Sequence, residues 1–219
     1  MKKIIMAGSG GFGQEVFAYL VKDIDEKKLT DVELIGILDD SDTSYKSSGI
    51  DLPFLGSISD YKFNTNTYVI LCVADVKLRR KLITILVANG AKLFSYTHSS
   101  CYVASSAKIG EGVIICPQSV INVNSSIDDT VVVNVFSSIG HGAKIGEGSI
   151  LSPYSALNGD ASIGKYCFLG TRATIYPRIS LTDNCIVDSH STAKKSVSKP
   201  SVISDRATYV CAPNRFINI

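Results

Sequence analysis

The stretch SSIGHGAKIGEG, residues 137–148, sets one imidazole, His141, among glycines and small residues in a chain with three histidines. An imidazole changes charge near neutrality and can take a proton from an amine or a hydroxyl. A second group of chemical interest lies at the other end of the chain. Gly8-Ser-Gly10-Gly11-Phe-Gly13 fits GxGxxG; it follows the apolar run KKIIM and opens QEVFAYLVK, which has helical spacing. Glycines there permit a tight turn and close backbone approach, and a helix N-terminus attracts phosphate. Asp39 and Asp40 end a second apolar run, and Asp75 follows a third. Acids at those ends can bind a ribose hydroxyl or a base edge, although Asp75 could equally cap a helix.

The elements that must position these residues differ between the two halves. Residues 1–97 alternate: KKIIM, ELIGIL and TYVILCV read as buried strands, QEVFAYLVK and VKLRRKLITILVANG as helices, the latter stopped at Asn89-Gly90, and AKLFSY as a last strand. Such alternation predicts a small parallel α/β domain, Rossmann-like at its glycine loop. With fewer than 100 residues it has room for one nucleotide rather than a dinucleotide, or for a glycine turn with no ligand.

Residues 98–219 are organised in sixes. From Val103 to Val187, fifteen consecutive hexads each begin with an aliphatic residue. The fifth position is Ala, Ser or Cys in twelve of them. A large and a small inward residue repeating every six predicts a parallel β-helix, with three hexads closing one triangular coil of eighteen residues. The α/β half can cover one open end and the tail after Ala193 the other.

Eighteen residues separate His141 from Gly159, in SALNGDAS, so the coil geometry predicts that the two are neighbours at strand spacing, about 4.8 Å. A glycine there leaves room for a ligand and exposes a backbone N–H. A base beside an open N–H suits acyl transfer: the imidazole takes the proton and the N–H stabilises the oxyanion. The competing reading is a solvated wall residue.

Composition narrows the classes. The chain is 45% hydrophobic and 19% charged, enough for a real core, and its net charge is +2 with no basic run longer than Arg79-Arg80-Lys81. No tryptophan offers a stacking platform, so nucleic acid is not expected as a partner. The apolar run after Met1 is too short for a signal segment, and no stretch is long enough for a bilayer; a cytoplasmic protein without membrane contact is expected. The six cysteines form no CxxC pair and no metal spacing, so reduced thiols acting as small hydrophobes are expected.

The chain resembles the hexapeptide-repeat acyltransferases, and more closely the PglD/NeuD-like group of bacterial sugar acetyltransferases. The resemblance rests on GSGGFGQEV, ILDD, the GH in the repeat, NGDASIGKYCFLGT and a final YVCAPNR. It implies a left-handed β-helix, a homotrimer, acetyl-CoA as co-substrate, no metal, and a nucleotide-linked sugar, most often a UDP-sugar, bound through the N-terminal domain. It implies that His141 is the general base, that Gly159 contacts the thioester, that Gly170 and Thr171 lie near coenzyme A, and that Asn134 lines the acceptor site. Arg172 and Arg178 could meet the coenzyme's phosphates or stand as solvated corners. The sequence departs from these relatives at Gly142, where an acid usually follows the histidine. Three readings of that departure stand: a backbone carbonyl holds the histidine, the acceptor is an amine that needs little activation, or the enzyme is slow or inactive; the amine is ranked slightly ahead.

The expected function is therefore acetyl-CoA-dependent N-acetylation of a nucleotide-linked amino sugar for surface glycans, by direct transfer. The alternatives are O-acetylation of a sialic acid or other sugar, and a non-catalytic nucleotide-sugar-binding scaffold. A zinc hydrolyase would need clustered histidines, and His98, His141 and His190 are far apart in the coil count; His98 and His190 read as structural.

Overall fold

The computed structural model describes residues 1–205; the YVCAPNR segment and Cys211 lie outside the described residues. The N-terminal half is a four-stranded parallel sheet. Its elements are β1 (Lys2–Ala7), α1 (Gly11–Asp25), β2 (Val32–Leu38), α2 (Asp42–Ser48), β3 (Thr67–Leu71), α3 (Val76–Ala88) and β4 (Lys92–Leu93), with strand order β2-β1-β3-β4. Alternation in β1 divides the core: Ile4 and Met6 pack with Val16 and Leu20 of α1, while Ile5 and Ala7 pack with Leu82 and Leu86 of α3. Helices on both faces explain why these strands are apolar throughout rather than alternating. The short helix α2, capped by Ser41, carries no apolar periodicity and was not foreseen.

AKLFSY is not one strand. Lys92–Leu93 pairs with Tyr68 and Val69, whereas Tyr96–Thr97 pairs with Ile114 and Ile115, the first step of the repeat. Phe94 is buried and makes the hand-over between the two sheets.

The rest is a left-handed parallel β-helix with three faces. Face one runs from Tyr96–Thr97 to Val202–Ile203, face two from Tyr102–Val103 to Thr192–Ala193, and face three from Lys108–Ile109 to Ser180–Leu181. From Tyr96 to Ala193 the two-residue strands pair with those eighteen positions on, for example Ser138 with Ala156 and Ile139 with Leu157, and the step shortens to sixteen where Ile186–Val187 meets Val202–Ile203. The hexad aliphatics from Ile115 to Val187 fill one buried cluster with the small residues Ala143, Ala161, Cys167 and Ala173 beside them. Every corner from Gly112 to His190 turns through one residue of positive φ. Only three of these, Gly112, Gly142 and Gly148, are glycine.

The α/β half does not sit on the open end, as the sequence suggested; it docks on the flank. The outward residues Ile114, Val132, Ile150 and Phe168 of face one pack in one cluster with Val16, Leu20 and Phe12 of the N-terminal half. Face one is apolar outside as well as inside, and that second apolar surface needs a cover. The other end follows expectation as far as it is described: Val197 bridges Leu181, Val202–Ile203 extends face one, and Val197 and Ile203 pack on the interior.

Candidate active site

His141 sits on the corner between faces two and three, after the strand Ser138–Ile139 and before Lys144–Ile145. Its side chain is 66% exposed, open to a reactant. The imidazole lies over the Cα of Gly159: a methyl group built there would collide with ring atoms Cε1 and Nε2. The neighbour relation read from the eighteen-residue step therefore holds, and a side chain at 159 would have to push the ring aside. The Gly159 carbonyl accepts from the Arg178 N–H at 3.0 Å. Among the described residues the Gly159 N–H has no acceptor, so it remains a donor beside a base.

One neighbour of the imidazole was missed. Asp160, on the coil next to Gly142, has its Oδ2 4.0 Å from His141 Nδ1, and its N–H donates to the His141 carbonyl at 2.8 Å. A methyl group on Gly142 would land on Asp160 Oδ1. The signal was present in the eighteen-residue step that gave Gly159, since residue 160 follows 142 by the same interval.

Asn134, Gly170 and Thr171 do not join this corner. They lie between faces one and two, with Asn134 and Gly170 two coils apart in the same position. One wall of the triangle, Ser138–Ile139 in this coil, separates Asn134 from His141 within the chain. The Asn134 Oδ1 accepts from the Val135 N–H at 2.7 Å. A methyl group on Gly170 would crowd the Ser189 N–H at 2.5 Å, which explains that glycine by packing. Phe136 and Tyr154 stack at 5.0 Å on this corner, and the Arg172 guanidinium lies 5.0 Å from the Tyr154 ring.

The glycine loop borders a cavity of about 430 Å³. Gly8, Gly10, Gly11, Asp39, Asp40 and Asp75 all line it; Gly13 does not. Gly13 is instead where α1 meets β1, since a methyl group there would strike the Gly8 carbonyl. Helix α1 begins at Gly11 with no side-chain cap, leaving first-turn N–H groups for an anion. The acids are partly committed to shaping the loops. Asp39 Oδ2 accepts from the N–H and Oγ of buried Ser9 at 2.7 and 2.6 Å, and Asp40 Oδ1 accepts from Ser57 Oγ and the Ile58 N–H. Asp75 caps α3 by accepting from the Leu78 N–H at 2.7 Å. Among the described residues no lysine or arginine lines the cavity.

The other histidines and the thiols are structural in surroundings. His98 is buried, with Nδ1 2.8 Å from Ser100 Oγ and Nε2 3.8 Å from Asp23. His190 is an exposed corner residue. Burial pushes the thiols of Cys72 and Cys167 up to about 12 and about 11, so they stay protonated and unreactive. Among the described residues no group of three or more His, Cys, Asp or Glu is placed to hold a metal ion. Among the described residues, no helix is long and apolar enough to cross a membrane.

Comparison with known proteins agrees with this architecture. Residues 3–86 match the family described as PglD N-terminal domain. The whole fold is similar to the acetyltransferase domain of PglB from Neisseria gonorrhoeae FA1090, with a TM-score of 0.80 at 20% identity over 93% of this chain and 97% of that one. It is similar to PerB from Caulobacter crescentus, solved with CoA and GDP-perosamine, with a TM-score of 0.79 at 24% identity over 93% and 94% of the two chains. WeeI from Acinetobacter baumannii AYE gives 0.76 at 24% identity over 93% and 96%. The chain thus shares its two-part fold, over nearly its full length, with the acetyltransferase domain of PglB, with PerB and with WeeI.

Proposed function

We propose that the protein is an acetyl-CoA-dependent N-acetyltransferase acting on a nucleotide-linked amino sugar for surface glycans. One observation carries the reading: the accessible imidazole of His141 lies against Gly159, whose N–H is free among the described residues. His141 accepts the proton lost as the sugar amine adds to the thioester carbonyl. The Gly159 N–H donates to the oxyanion that forms. Collapse of the adduct breaks the carbon–sulfur bond, and the imidazolium returns its proton to the departing thiolate. No covalent enzyme intermediate is needed, in keeping with the buried, protonated thiols of Cys72 and Cys167. That acetyl-CoA and an amino sugar are the reactants is supported by the similar fold of PerB, which was solved with CoA and GDP-perosamine.

The nucleotide belongs in the cavity at the glycine loop. Its helix N-terminus suits phosphate, and its three carboxylates suit hydroxyl and base N–H donors rather than a bare polyphosphate. A uridine nucleotide is the proposed ligand, with a guanosine nucleotide as its rival. The split of the candidate residues between two corners also favours a homotrimer, in which the Asn134, Gly170 and Thr171 corner of one copy faces the His141 corner of the next.

The test is product mass spectrometry with acetyl-CoA and a panel of UDP-, GDP- and dTDP-linked sugars, amino and hydroxyl. The expected product is one acetyl group on an amino sugar, with His141→Ala slower by about 10²- to 10⁴-fold. Acetylation of hydroxyl sugars alone would establish the O-acetyl alternative. Coenzyme binding with no transfer to any acceptor would favour a scaffold.

A further inference from the structure

We propose that Asp160 is the positioning residue of the His141 base, its carboxylate reaching across from the neighbouring coil. This rests on the reading of His141 as the base. The imidazole presents its two nitrogens to different neighbours: Nε2 lies over Gly159, and Nδ1 is the nitrogen near the Asp160 carboxylate. A carboxylate that accepts the Nδ1 proton leaves the lone pair on Nε2, the side where the acceptor and the Gly159 N–H stand. The 4.0 Å separation is about 1 Å beyond a hydrogen bond, within reach of a side-chain rotation at two exposed residues. Catalytic hydrogen bonds commonly tighten in this way when substrate is bound.

Three features allow Asp160 this role. Its carboxylate accepts no hydrogen bond among the described residues. Two acids elsewhere in the coils are committed to the backbone instead: Asp129 accepts from the Glu111 N–H and Asp183 from the Lys165 N–H, each at 2.8 Å. Its backbone is held beside His141 by the general corner bond of this helix, in which a corner N–H such as that of Asp160, Tyr166 or Arg172 donates to the carbonyl on the preceding coil, here that of His141. Finally, Gly142 makes the room. Eleven corner residues between Gln118 and His190 adopt positive φ with a side chain, so the backbone at Gly142 does not demand glycine. What a side chain there would meet is the Asp160 carboxylate, which leans over from the next coil and would have to move aside. Gly148 beneath the Tyr166 ring repeats the arrangement six residues on.

The decisive experiment compares wild type with Asp160→Asn, Asp160→Gly and the transposed pair Gly142→Asp/Asp160→Gly. Asparagine tolerates positive φ, and glycine does so freely, so all three keep the corner. Melting curves check this. With the acetyl acceptor identified above, Asp160→Asn and Asp160→Gly are expected to lower kcat by about 10- to 100-fold with KM for both substrates unchanged. The transposed pair, which returns a carboxylate to the same space from the coil below, is expected to recover most of that loss. A readout independent of activity is the ¹⁵N spectrum of the three histidine rings at pH about 8.5, where an ordinary imidazole is neutral. The ring assigned to His141 by its loss in His141→Ala should carry its proton on Nδ1 in wild type and on Nε2 in Asp160→Asn. An unchanged tautomer, or an unchanged kcat in an active enzyme, overturns the role of Asp160. Absence of acetyl transfer by wild type with the expected tautomer switch overturns the assigned reaction and leaves the Asp160–His141 pairing standing.

Discussion

Gly159 is where a single methyl group separates the catalytic reading from a structural one. Its φ is not in the left-handed region, so alanine is compatible with the backbone, but the added carbon falls on Cε1 and Nε2 of His141. The ring is exposed and can swing away, so Gly159→Ala should leave the melting temperature unchanged within experimental error. The displaced base and obstructed N–H should lower kcat by about 100-fold, as expected for a misplacement of about 1 Å at a reacting centre. Circular dichroism and steady-state kinetics on the same preparation check both halves of the expectation. A fully active variant would mean that the open N–H is not used. This pair was legible before any coordinates, because counting eighteen from His141 needs only the period. Asp160 follows from the same count but was passed over. Along the chain the residue beside the histidine is Gly142, and the acid stands on the next coil. In a β-helix the next coil is as near a neighbour as the next residue.

At the scale of elements, the hexad rule named the residues that fill the interior, and the structure buries them from Ile115 to Val187. What it left unread was the outward positions. Counting every eighteenth residue instead of every sixth isolates Tyr96, Ile114, Val132, Ile150 and Phe168, an apolar column on one face only. On face three the corresponding residues are Lys108, Ser126, Lys144, Ser162 and Ser180. That contrast would have placed the α/β half on the flank rather than on the end. Helix α1 therefore has two tasks: its first turn faces the candidate nucleotide cavity, and its body packs between the small sheet and face one. Gly13 sets its depth, pressed on the Gly8 carbonyl. Gly13→Ala must push α1 off β1, because the obstructing atom is backbone. The expected result is a loss of about 1–3 kcal/mol in denaturant unfolding, together with at least tenfold weaker binding of the nucleotide by calorimetry. Retained stability with retained binding would show that α1 is not seated by this contact.

On the scale of the whole molecule, two polar devices fasten the halves where the apolar column ends. Arg79, 1% exposed, donates to the carbonyls of Leu71 and Val73 in its own domain and of Thr130 and Gly112 in the β-helix. Asp23 of α1, 2% exposed, accepts from Tyr96 Oη at 2.8 Å and from the N–H and Oγ of Ser99 at 3.0 and 2.6 Å. His98 stands 3.8 Å away. Burial alone would raise the Asp23 carboxyl, but the hydrogen bonds from Ser99 and Tyr96 outweigh it and hold the group below its ordinary value. The sign of the pH dependence follows. A carboxyl held low in the fold favours folding above its unfolded value near 3.8, and the contribution disappears as pH falls through the lower folded value. Unfolding free energy should therefore drop with acidification through and below pH about 4, and the interface between the halves should open first. Asp23→Asn offers one acceptor oxygen where the carboxylate's two serve three donors. It should cost about 1–3 kcal/mol near neutrality and flatten the acid limb of the profile. Hydrogen exchange at face one, followed from pH 7 to pH 3, would report that opening directly. Equal protection in wild type and Asp23→Asn throughout the range would show that the apolar column alone holds the two halves together.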